Sequence, residues 1–159
     1  MRKTDRLVKE IEMSDDHQPA ANSNGHANGG GAEDELAAET AIAQLFDDYK
    51  AGFDDYEADR ICDCFALPVT IWQFEEGHVF SEEEDLMDNI ETLLSALEKE
   101  GVVQSEFQVS SSHINGNSAM ITLDWTQEDA DGEAVLEFTC HYHLIQDGVD
   151  WVIAMIINE

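Results

Sequence analysis

Basic side chains are scarce in this chain of 159 residues, which has 7 Lys and Arg against 36 Asp and Glu and a formal net charge of −29. Four of the seven basic residues lie in the first nine positions. From Glu33 onward, 3 basic side chains stand against 31 acidic ones, a net formal charge of −28. Such a surface repels phosphate backbones and anionic lipids, so we expect neither nucleic acid nor membrane as a partner. We interpret the acidic composition as halophilic adaptation.

The chain also lacks a disulfide framework and a long apolar run. Its three cysteines, Cys62, Cys64 and Cys140, do not have the number or spacing typical of small secreted proteins. No segment is long and apolar enough to cross a bilayer, and the basic start is not followed by the apolar stretch of a signal peptide. These absences predict a cytoplasmic protein with reduced thiols.

Composition divides the chain into two parts. Residues 14–32 are small, polar and rich in Gly and Asn, so they offer nothing to bury. We therefore predict a disordered leader over residues 1–32, with a basic start, and one domain over residues 33–159. The hydrophobic content of 43% suffices for a single core.

Apolar periodicity predicts three helices in the first part of this domain. The first covers residues 34–51 and should stop at Gly52, and the second covers residues 55–65. Pro68 then leads into a strand over residues 69–74, with a short return strand over residues 78–80. Ser81 and Glu84 form a capping-box pattern at the start of the third helix, which should end at Gly101.

The last third of the chain predicts a four-stranded antiparallel meander. Its strands are separated by Asn115-Gly116, Asp131-Gly132 and Asp147-Gly148, which are strong hairpin signals because type I′ turns require positive φ. Helices followed by one meander predict an α+β fold with the helices on a single face of the sheet.

Two-residue turns fix which side chains share a face. They place Trp125 opposite Phe138, Leu123 opposite Cys140, Ile121 opposite Tyr142, Leu144 opposite Trp151, Tyr142 opposite Ile153 and Cys140 opposite Met155. These residues form an apolar inner face, and His141 and His143 point to the other side. The third strand has two alternatives. A bulge near Asn115 would bring Phe107, Val109 and His113 inward, and a tight turn would bring Glu106, Gln108 and Ser110 inward.

This order of elements, with the ending Asp147-Gly148-Val149-Asp150-Trp151, resembles the NTF2-like superfamily, and within it the SnoaL-like and ketosteroid isomerase-like branch. The resemblance covers roughly residues 35–158. It implies a cystatin-like cone in which three helices and a curved sheet enclose an apolar pocket. It also implies a homodimer paired through the outer face of the sheet.

The resemblance also suggests where catalytic groups would lie. Tyr49 matches the tyrosine that ketosteroid isomerases direct at a developing oxyanion. Trp72 and Gln73 fall where the proton-shuttling carboxylate belongs, and Cys140 falls where the protonated acid belongs. Steroid isomerase chemistry is therefore not supported, and whether the protein is an enzyme is left open. His113 is the remaining candidate base, on the condition that the bulged parity turns it inward towards Tyr49.

His141, His143 and Asp124 are a minimal set of metal ligands on adjacent strands. Because they lie on the predicted outer face, we interpret the histidines as part of a dimer interface. We predict no metal and no cofactor.

Two functional hypotheses remain. In the first, the pocket binds a small apolar or aromatic molecule, either as a binding protein or as a weak isomerase, cyclase or dehydratase. We assign to this pocket the residues Phe53, Trp72, Leu123, Trp125, Cys140 and Tyr142. In the second, the protein is a non-catalytic homodimeric interaction or sensing module, and its own side chains fill the pocket.

Overall fold

The computed structural model describes residues 32–73 and 75–159. The expected disordered leader therefore lies outside the described residues except for Ala32, which begins the first helix. Phe74, the predicted last residue of the first strand, also lies outside them.

The helices are α1 (Ala32–Asp54), α2 (Ala58–Cys62) and α3 (Glu83–Lys99). The strands are β1 (Phe65–Gln73), β2 (Glu76–Phe80), β3 (Gln104–Asn115), β4 (Ser118–Glu128), β5 (Ala134–Asp147) and β6 (Asp150–Asn158). The predicted sequence of helix, helix, hairpin, helix and meander is confirmed.

Six strands form one sheet in the order β2-β1-β6-β5-β4-β3. All neighbours are antiparallel except β1 and β6, which run parallel. This topology places the hairpin of β1 and β2 beside the last strand of the meander. The fold is α+β with an NTF2-like, cystatin-like architecture, as predicted.

Three local predictions are corrected. Helix α1 continues through Gly52 to Asp54, and Gly52 instead permits close packing, because a Cβ atom there would lie 2.7 Å from Cγ1 of Ile61. The N-cap of α3 is Glu82 and makes no side-chain capping bond, so the capping box does not form. Strand β1 starts at Phe65, before Pro68, and its pairing with β6 is irregular between Phe65 and Thr70.

The register of β4 and β5 agrees with the prediction. Trp125 pairs with Phe138, Leu123 with Cys140 and Ile121 with Tyr142. The connection is longer than two residues, since Glu128 pairs with Ala134, but a register shift at Glu128 compensates for the added length.

The predicted register of β5 and β6 is wrong by two residues next to the turn. Asp147 pairs with Asp150, so Gly148 and Val149 form the turn, and Leu144 pairs with Ile153 instead of Trp151. A second shift follows Leu144, so that Tyr142 pairs with Ile156 and Cys140 with Asn158. Trp151 and Ile153 still point inward as predicted, but Ile156 takes the buried position that was assigned to Met155.

Strand β3 contains a bulge, located between Val109 and Ser111 instead of near Asn115. Phe107 therefore pairs with Trp125 and faces inward, whereas His113 pairs with Met120 and faces outward. The core lies between this inner sheet face and the helices, and Ile61, Leu123, Leu144 and Ile153 are fully buried in it.

Candidate functional site

A cavity of about 380 Å³ lies between the helices and the inner face of the sheet. Its volume falls within the range of about 300–1,000 Å³ that is typical of small-molecule sites. Helices α1 and α3, strands β1, β4, β5 and β6 and the β1–β2 turn contribute its wall. The lining residues are mostly apolar and include Tyr49, Phe53, Phe65, Ile71, Ile90, Leu93, Leu97, Trp125, Leu136, Phe138, Cys140, Tyr142 and Ile156.

Tyr49 is the centre of the aromatic part of this wall. Its ring centroid lies 5.0 Å from that of Phe53, 6.0 Å from that of Trp125 and 6.1 Å from that of Tyr142, all edge-on. Edge-on aromatic pairs at such separations are favourable because the positive ring edge meets the negative ring face. The cavity therefore has one rigid, aromatic side.

The two phenol groups of this wall remain protonated. Burial raises the pKa of Tyr49 well above its ordinary value, and the neighbouring thiols of Cys140 and Cys64 raise it further. Burial likewise raises the pKa of Tyr142, whose hydroxyl oxygen accepts a hydrogen bond of 2.9 Å from Nε1 of Trp125. Both hydroxyls are therefore neutral groups near pH 7.

Cys140 is also a neutral group. Burial raises the pKa of its thiol to about 12. The thiol donates a hydrogen bond to Oδ1 of Asn158 on the neighbouring strand. Because the thiolate is the reactive form of cysteine, this side chain is not an activated nucleophile.

Three buried carboxamides add polarity to the wall. Gln73 on β1, Asn89 on α3 and Gln127 on β4 all line the cavity and are between 2% and 4% exposed. Their side-chain oxygens, Oε1 of Gln73, Oδ1 of Asn89 and Oε1 of Gln127, have no hydrogen-bond partner in the described part of the chain. A buried acceptor without a partner costs roughly 1–3 kcal/mol, so such atoms call for an explanation.

Among the described residues, Glu75 and Glu159 are the two carboxylates in the lining, and both residues are exposed. Among the described residues, no Lys, Arg or His lines the cavity. The arrangement can surround an apolar molecule and form hydrogen bonds with it. Residues 32–73 and 75–159 do not place a buried general base beside Tyr49.

Of the six residues assigned to the pocket from the sequence, Phe53, Trp125, Cys140 and Tyr142 line the cavity. Tyr49, the candidate for contact with an oxyanion, lines it as well. Leu123 lies on the same sheet face but is completely buried and does not reach the cavity. Trp72 lies on the outer face, because its neighbours Ile71 and Gln73 point inward and side chains alternate along a strand. There its indole ring packs over Gly77 of β2.

His113 does not approach Tyr49. The condition that made it a candidate base fails because the bulge lies at a different place in β3, and its side chain is exposed on the outer face.

The outward-facing histidines hydrogen-bond to neighbouring strands. Nδ1 of His141 lies 2.8 Å from Oγ1 of Thr122, and Nε2 of His143 lies 2.9 Å from Oγ of Ser118. Asp124 instead accepts a bond of 2.7 Å from the hydroxyl of Thr139. Within residues 32–73 and 75–159, no three His, Cys, Asp or Glu side chains are grouped as metal ligands.

Gln73 was named from the sequence only as a residue at the position of the proton-shuttling carboxylate, and Asn89 and Gln127 were not predicted to line the pocket. Two signals were present in the sequence. Asn89 interrupts the apolar stripe of α3, three residues after Leu86, and Gln127 lies two residues after Trp125, which gives it the same inward parity. A polar side chain on an otherwise apolar face is the informative exception.

A family model described as NTF2-like protein (DUF6841) matches residues 35–159. No curated protein matches the sequence. Within the described residues, none of the helices combines the length and the apolarity needed to span a bilayer.

Solved structures share the fold at low sequence identity. A protein of unknown function from Mycobacterium tuberculosis is 13% identical, with a TM-score of 0.63 over 82% of this chain and 75% of that chain. An NTF2-like protein of unknown function from Shewanella oneidensis is 14% identical, with a TM-score of 0.59 over 76% of this chain and 98% of that chain. A domain of unknown function with a cystatin-like fold from Nostoc punctiforme is 14% identical, with a TM-score of 0.61 over 77% of this chain and 76% of that chain.

Proposed function

Since the chain belongs to an NTF2-like family, we propose that it binds a small, predominantly apolar or aromatic molecule in the cavity between its helices and its sheet. The observation that carries this proposal is the cavity of about 380 Å³ with a mostly apolar, aromatic wall. An open volume of this size favours ligand binding over the alternative of an interaction module with a self-filled pocket.

The volume and the shape of the wall indicate the size of the molecule. An apolar cavity of about 150 Å³ holds one benzene ring, so the volume here suits about two to three fused rings. Tyr49, Trp125 and Tyr142 supply flat surfaces against which such rings pack. Because Tyr49, Tyr142 and Cys140 retain their protons, binding is better supported than acid–base catalysis.

The first experiment is native mass spectrometry of the purified protein, followed by denaturing extraction of any co-purifying compound. It is accompanied by titration with the fluorescent aromatic amine 1-aminoanthracene. We expect saturable binding of one probe per chain, with enhanced emission in a dry environment. An absence of saturable binding, together with an empty protein in the mass spectrum, would refute the proposal.

Leu93→Trp is designed to fill the cavity, because Leu93 is half-buried and lines it from α3. Leu45→Trp is the matched control, since Leu45 is half-buried on α1 but does not line the cavity. We expect the Leu93 variant to bind the probe at least tenfold more weakly and the Leu45 variant to bind it normally. Equal binding by both variants would place the probe elsewhere.

We further propose that the outer face of the sheet pairs two copies of the chain. Four apolar side chains on this face, Trp72, Met120, Ile145 and Ile157, are between 36% and 45% exposed. They lie on four adjacent strands, and Ile157 pairs with His141 while Met120 pairs with His143. An exposed apolar patch of this extent on an otherwise acidic surface is typical of an interaction site.

Sedimentation analysis across a range of protein concentrations tests the dimer. Met120→Glu and Ile145→Glu introduce charge into the outer face, and we expect each to shift the protein to monomers. Val149→Glu is the control, because Val149 is exposed in the turn between β5 and β6. A monomeric wild-type protein would contradict the pairing, and so would dimers that persist in both face variants.

We also propose a cytoplasmic location on the basis of the cysteine usage. All three cysteines are free and buried, and burial raises the pKa of Cys62 to about 11 and that of Cys64 to about 12. Cell fractionation with antibody detection tests this location, and recovery from the periplasm or the medium would contradict it.

A further inference from the structure

The three buried carboxamides of the cavity indicate more about the ligand than its size. Gln73, Asn89 and Gln127 belong to three different elements and converge on one cavity. A hydrogen bond from another part of the protein normally satisfies a buried amide oxygen. In the described part of the chain these three oxygens have none, so their acceptor capacity is available for a molecule inside the cavity.

The hydrogen bonds of Gln127 show that its unpartnered oxygen belongs to a side chain that is fixed in position. Its Nε2 donates to Oγ of Ser105 at 3.4 Å, and the backbone N–H of Ser105 donates to Asp54 at 2.7 Å. The side-chain nitrogen of Gln127 is therefore fixed by Ser105 of β3, which is itself bonded to Asp54 of α1. In the described part of the chain, Oε1 of Gln127 has no hydrogen-bond partner. A buried residue whose nitrogen is engaged and whose oxygen is not is suited to accept a bond from a ligand.

The charge distribution limits which donors fit. A cation in the cavity would lack a buried carboxylate to pair with, and burying an unpaired charge is very unfavourable. An anion would meet the carboxylates of Glu75 and Glu159 in the lining and find no basic side chain there among the described residues. Neutral O–H and N–H groups are the remaining donors.

We propose that Gln73, Asn89 and Gln127 recognise hydroxyl or N–H groups on the ligand, which is therefore a neutral molecule of about two to three rings with polar donors on its edge. This inference rests on the proposed function of the cavity as a binding site. It extends that proposal from an apolar ligand to one of defined hydrogen-bonding chemistry.

The sheet register indicates that the donors lie at more than one position on the ligand. Trp72 pairs with Ile157, so the next residues along these parallel strands, Gln73 and Asn158, are neighbours at the end of the sheet inner face. Gln127 lies on β4, where it pairs with Leu136 of β5. Strands β6 and β5 separate β4 from β1, the strand that carries Gln73. The carboxamides therefore contact a ligand from separate walls, with the aromatic surface between them.

Matched naphthalene derivatives test this inference. The probes are naphthalene, 2,6-dihydroxynaphthalene, 2,6-dimethoxynaphthalene and 2-naphthoate, each measured by displacement of 1-aminoanthracene from the full chain. The dihydroxy compound supplies two donors, whereas the dimethoxy compound has the same ring and oxygens but no donor. A purely apolar cavity would prefer naphthalene and the dimethoxy compound, because hydroxyl groups are costly to bury without partners.

We expect the dihydroxy compound to bind at least tenfold more tightly than the dimethoxy compound and the naphthoate to bind weakest. Equal or reversed affinities of the dihydroxy and dimethoxy compounds would overturn the inference while leaving the cavity a binding site. Failure of 1-aminoanthracene itself to bind would instead remove the proposed function. The two failures are therefore distinguishable.

Variants Gln73→Met, Asn89→Leu and Gln127→Met replace each amide by an apolar group of similar shape. Gln44→Met is the control, since Gln44 is exposed on α1 and bonds only to Asp48 among the described residues. We expect each cavity variant to reduce the preference for the dihydroxy compound by at least threefold, without weakening naphthalene binding and without lowering the urea midpoint. An unchanged preference in all three variants would assign the selectivity to other groups.

Discussion

Trp125 donates its indole N–H to the hydroxyl of Tyr142 at 2.9 Å, although the two residues are not register partners. Trp125 pairs with Phe138, and Tyr142 lies four residues further along β5 opposite Ile121. The bond therefore runs diagonally across the inner face of the sheet. It joins two polar-tipped aromatic groups of the cavity wall and holds both rings in position.

Tyr142→Phe should destabilise the protein more than Tyr49→Phe. The first change leaves the buried indole N–H of Trp125 without its acceptor, which costs roughly 1–3 kcal/mol of unfolding free energy. The second change removes a buried hydroxyl but keeps the bond between Trp125 and Tyr142. Urea unfolding monitored by tryptophan emission measures both. Equal losses in the two variants would show that the diagonal bond adds nothing.

The buried tyrosines also predict how stability depends on pH. Burial raises the pKa of Tyr49 and Tyr142 well above the value of about 10 expected in the unfolded chain. Their contribution to stability is therefore fully present below pH 10, and it is lost as the pH rises further because the unfolded state ionises first. We expect unfolding in base to be steep and to coincide with ionisation of both residues.

A spectrophotometric titration of phenolate absorbance, with circular dichroism in parallel, tests this behaviour. The third tyrosine, Tyr56, is half-buried. Its burial is the main cause that raises its pKa, the negative charges of Glu98 and Asp54 add to it, and the increase is smaller than for Tyr49 and Tyr142. It should titrate before unfolding, and Tyr56→Phe should remove that early phase. Ionisation of all three tyrosines without loss of structure would contradict the burial of Tyr49 and Tyr142.

Turn chemistry made most of the sheet predictable from the sequence. Asp131-Gly132 predicted the pairing of Trp125 with Phe138 correctly, although the real connection is longer than two residues. The register shift next to the turn offsets the added length, so the same residues meet along the rest of the two strands. Asp147-Gly148 was less informative. Glycine fits either central position of a two-residue turn. The prediction placed the turn at Asp147-Gly148, one residue before its actual position at Gly148-Val149, and this error shifted every predicted partner next to the turn by two residues.

Strand bulges and buried polar groups are the features that could not be predicted from the sequence. The shifts between His143 and Leu144 and between Val109 and Ser111 occur within continuous strands, where no glycine or proline marks them. They decide the orientation of Ile156 and His113. Strand parity predicted the sheet residues of the aromatic wall, Trp125, Phe138 and Tyr142. It did not predict the carboxamides, because the burial of Gln73 and Asn89 depends on how α3 covers the sheet, which local patterns do not specify.

Gly148→Val should destabilise the hairpin of β5 and β6. Gly148 has a φ of +66°, a conformation that costs an L-residue roughly 1–2 kcal/mol and a β-branched one more. In the described part of the chain, no atom apart from those of the two adjacent residues lies within 4 Å of a Cβ atom at this position, so the cost comes from the backbone alone. Val149→Ala is the control, and urea unfolding of the two variants measures the difference. Equal stability would contradict the turn assignment.

Salt should stabilise this protein because its acidic side chains repel one another. At low ionic strength these charges interact over about 10–30 Å, and at about 1 M salt the screening length falls to about 3 Å. We expect the thermal midpoint to rise with NaCl concentration. Sucrose, which adds no screening, serves as the comparison, and a midpoint independent of NaCl would refute the interpretation of the composition as halophilic adaptation.

A groove between α2 and α3 identifies one source of this repulsion. Five acidic residues line it, namely Glu57, Asp59, Asp63, Glu91 and Glu98, and among the described residues Arg60 is the one basic side chain in this lining. The guanidinium nitrogens of Arg60 lie 3.5 Å from Asp48, 3.6 Å from Asp55 and 3.8 Å from Glu57, so none of these ion pairs neutralises Glu91 or Glu98. The double variant Glu91→Gln and Glu98→Gln should therefore raise the thermal midpoint at low salt and flatten its dependence on NaCl. Glu39→Gln on the exposed side of α1 provides the single-charge control, and a midpoint that falls in the double variant would mean that these carboxylates stabilise the fold at this groove.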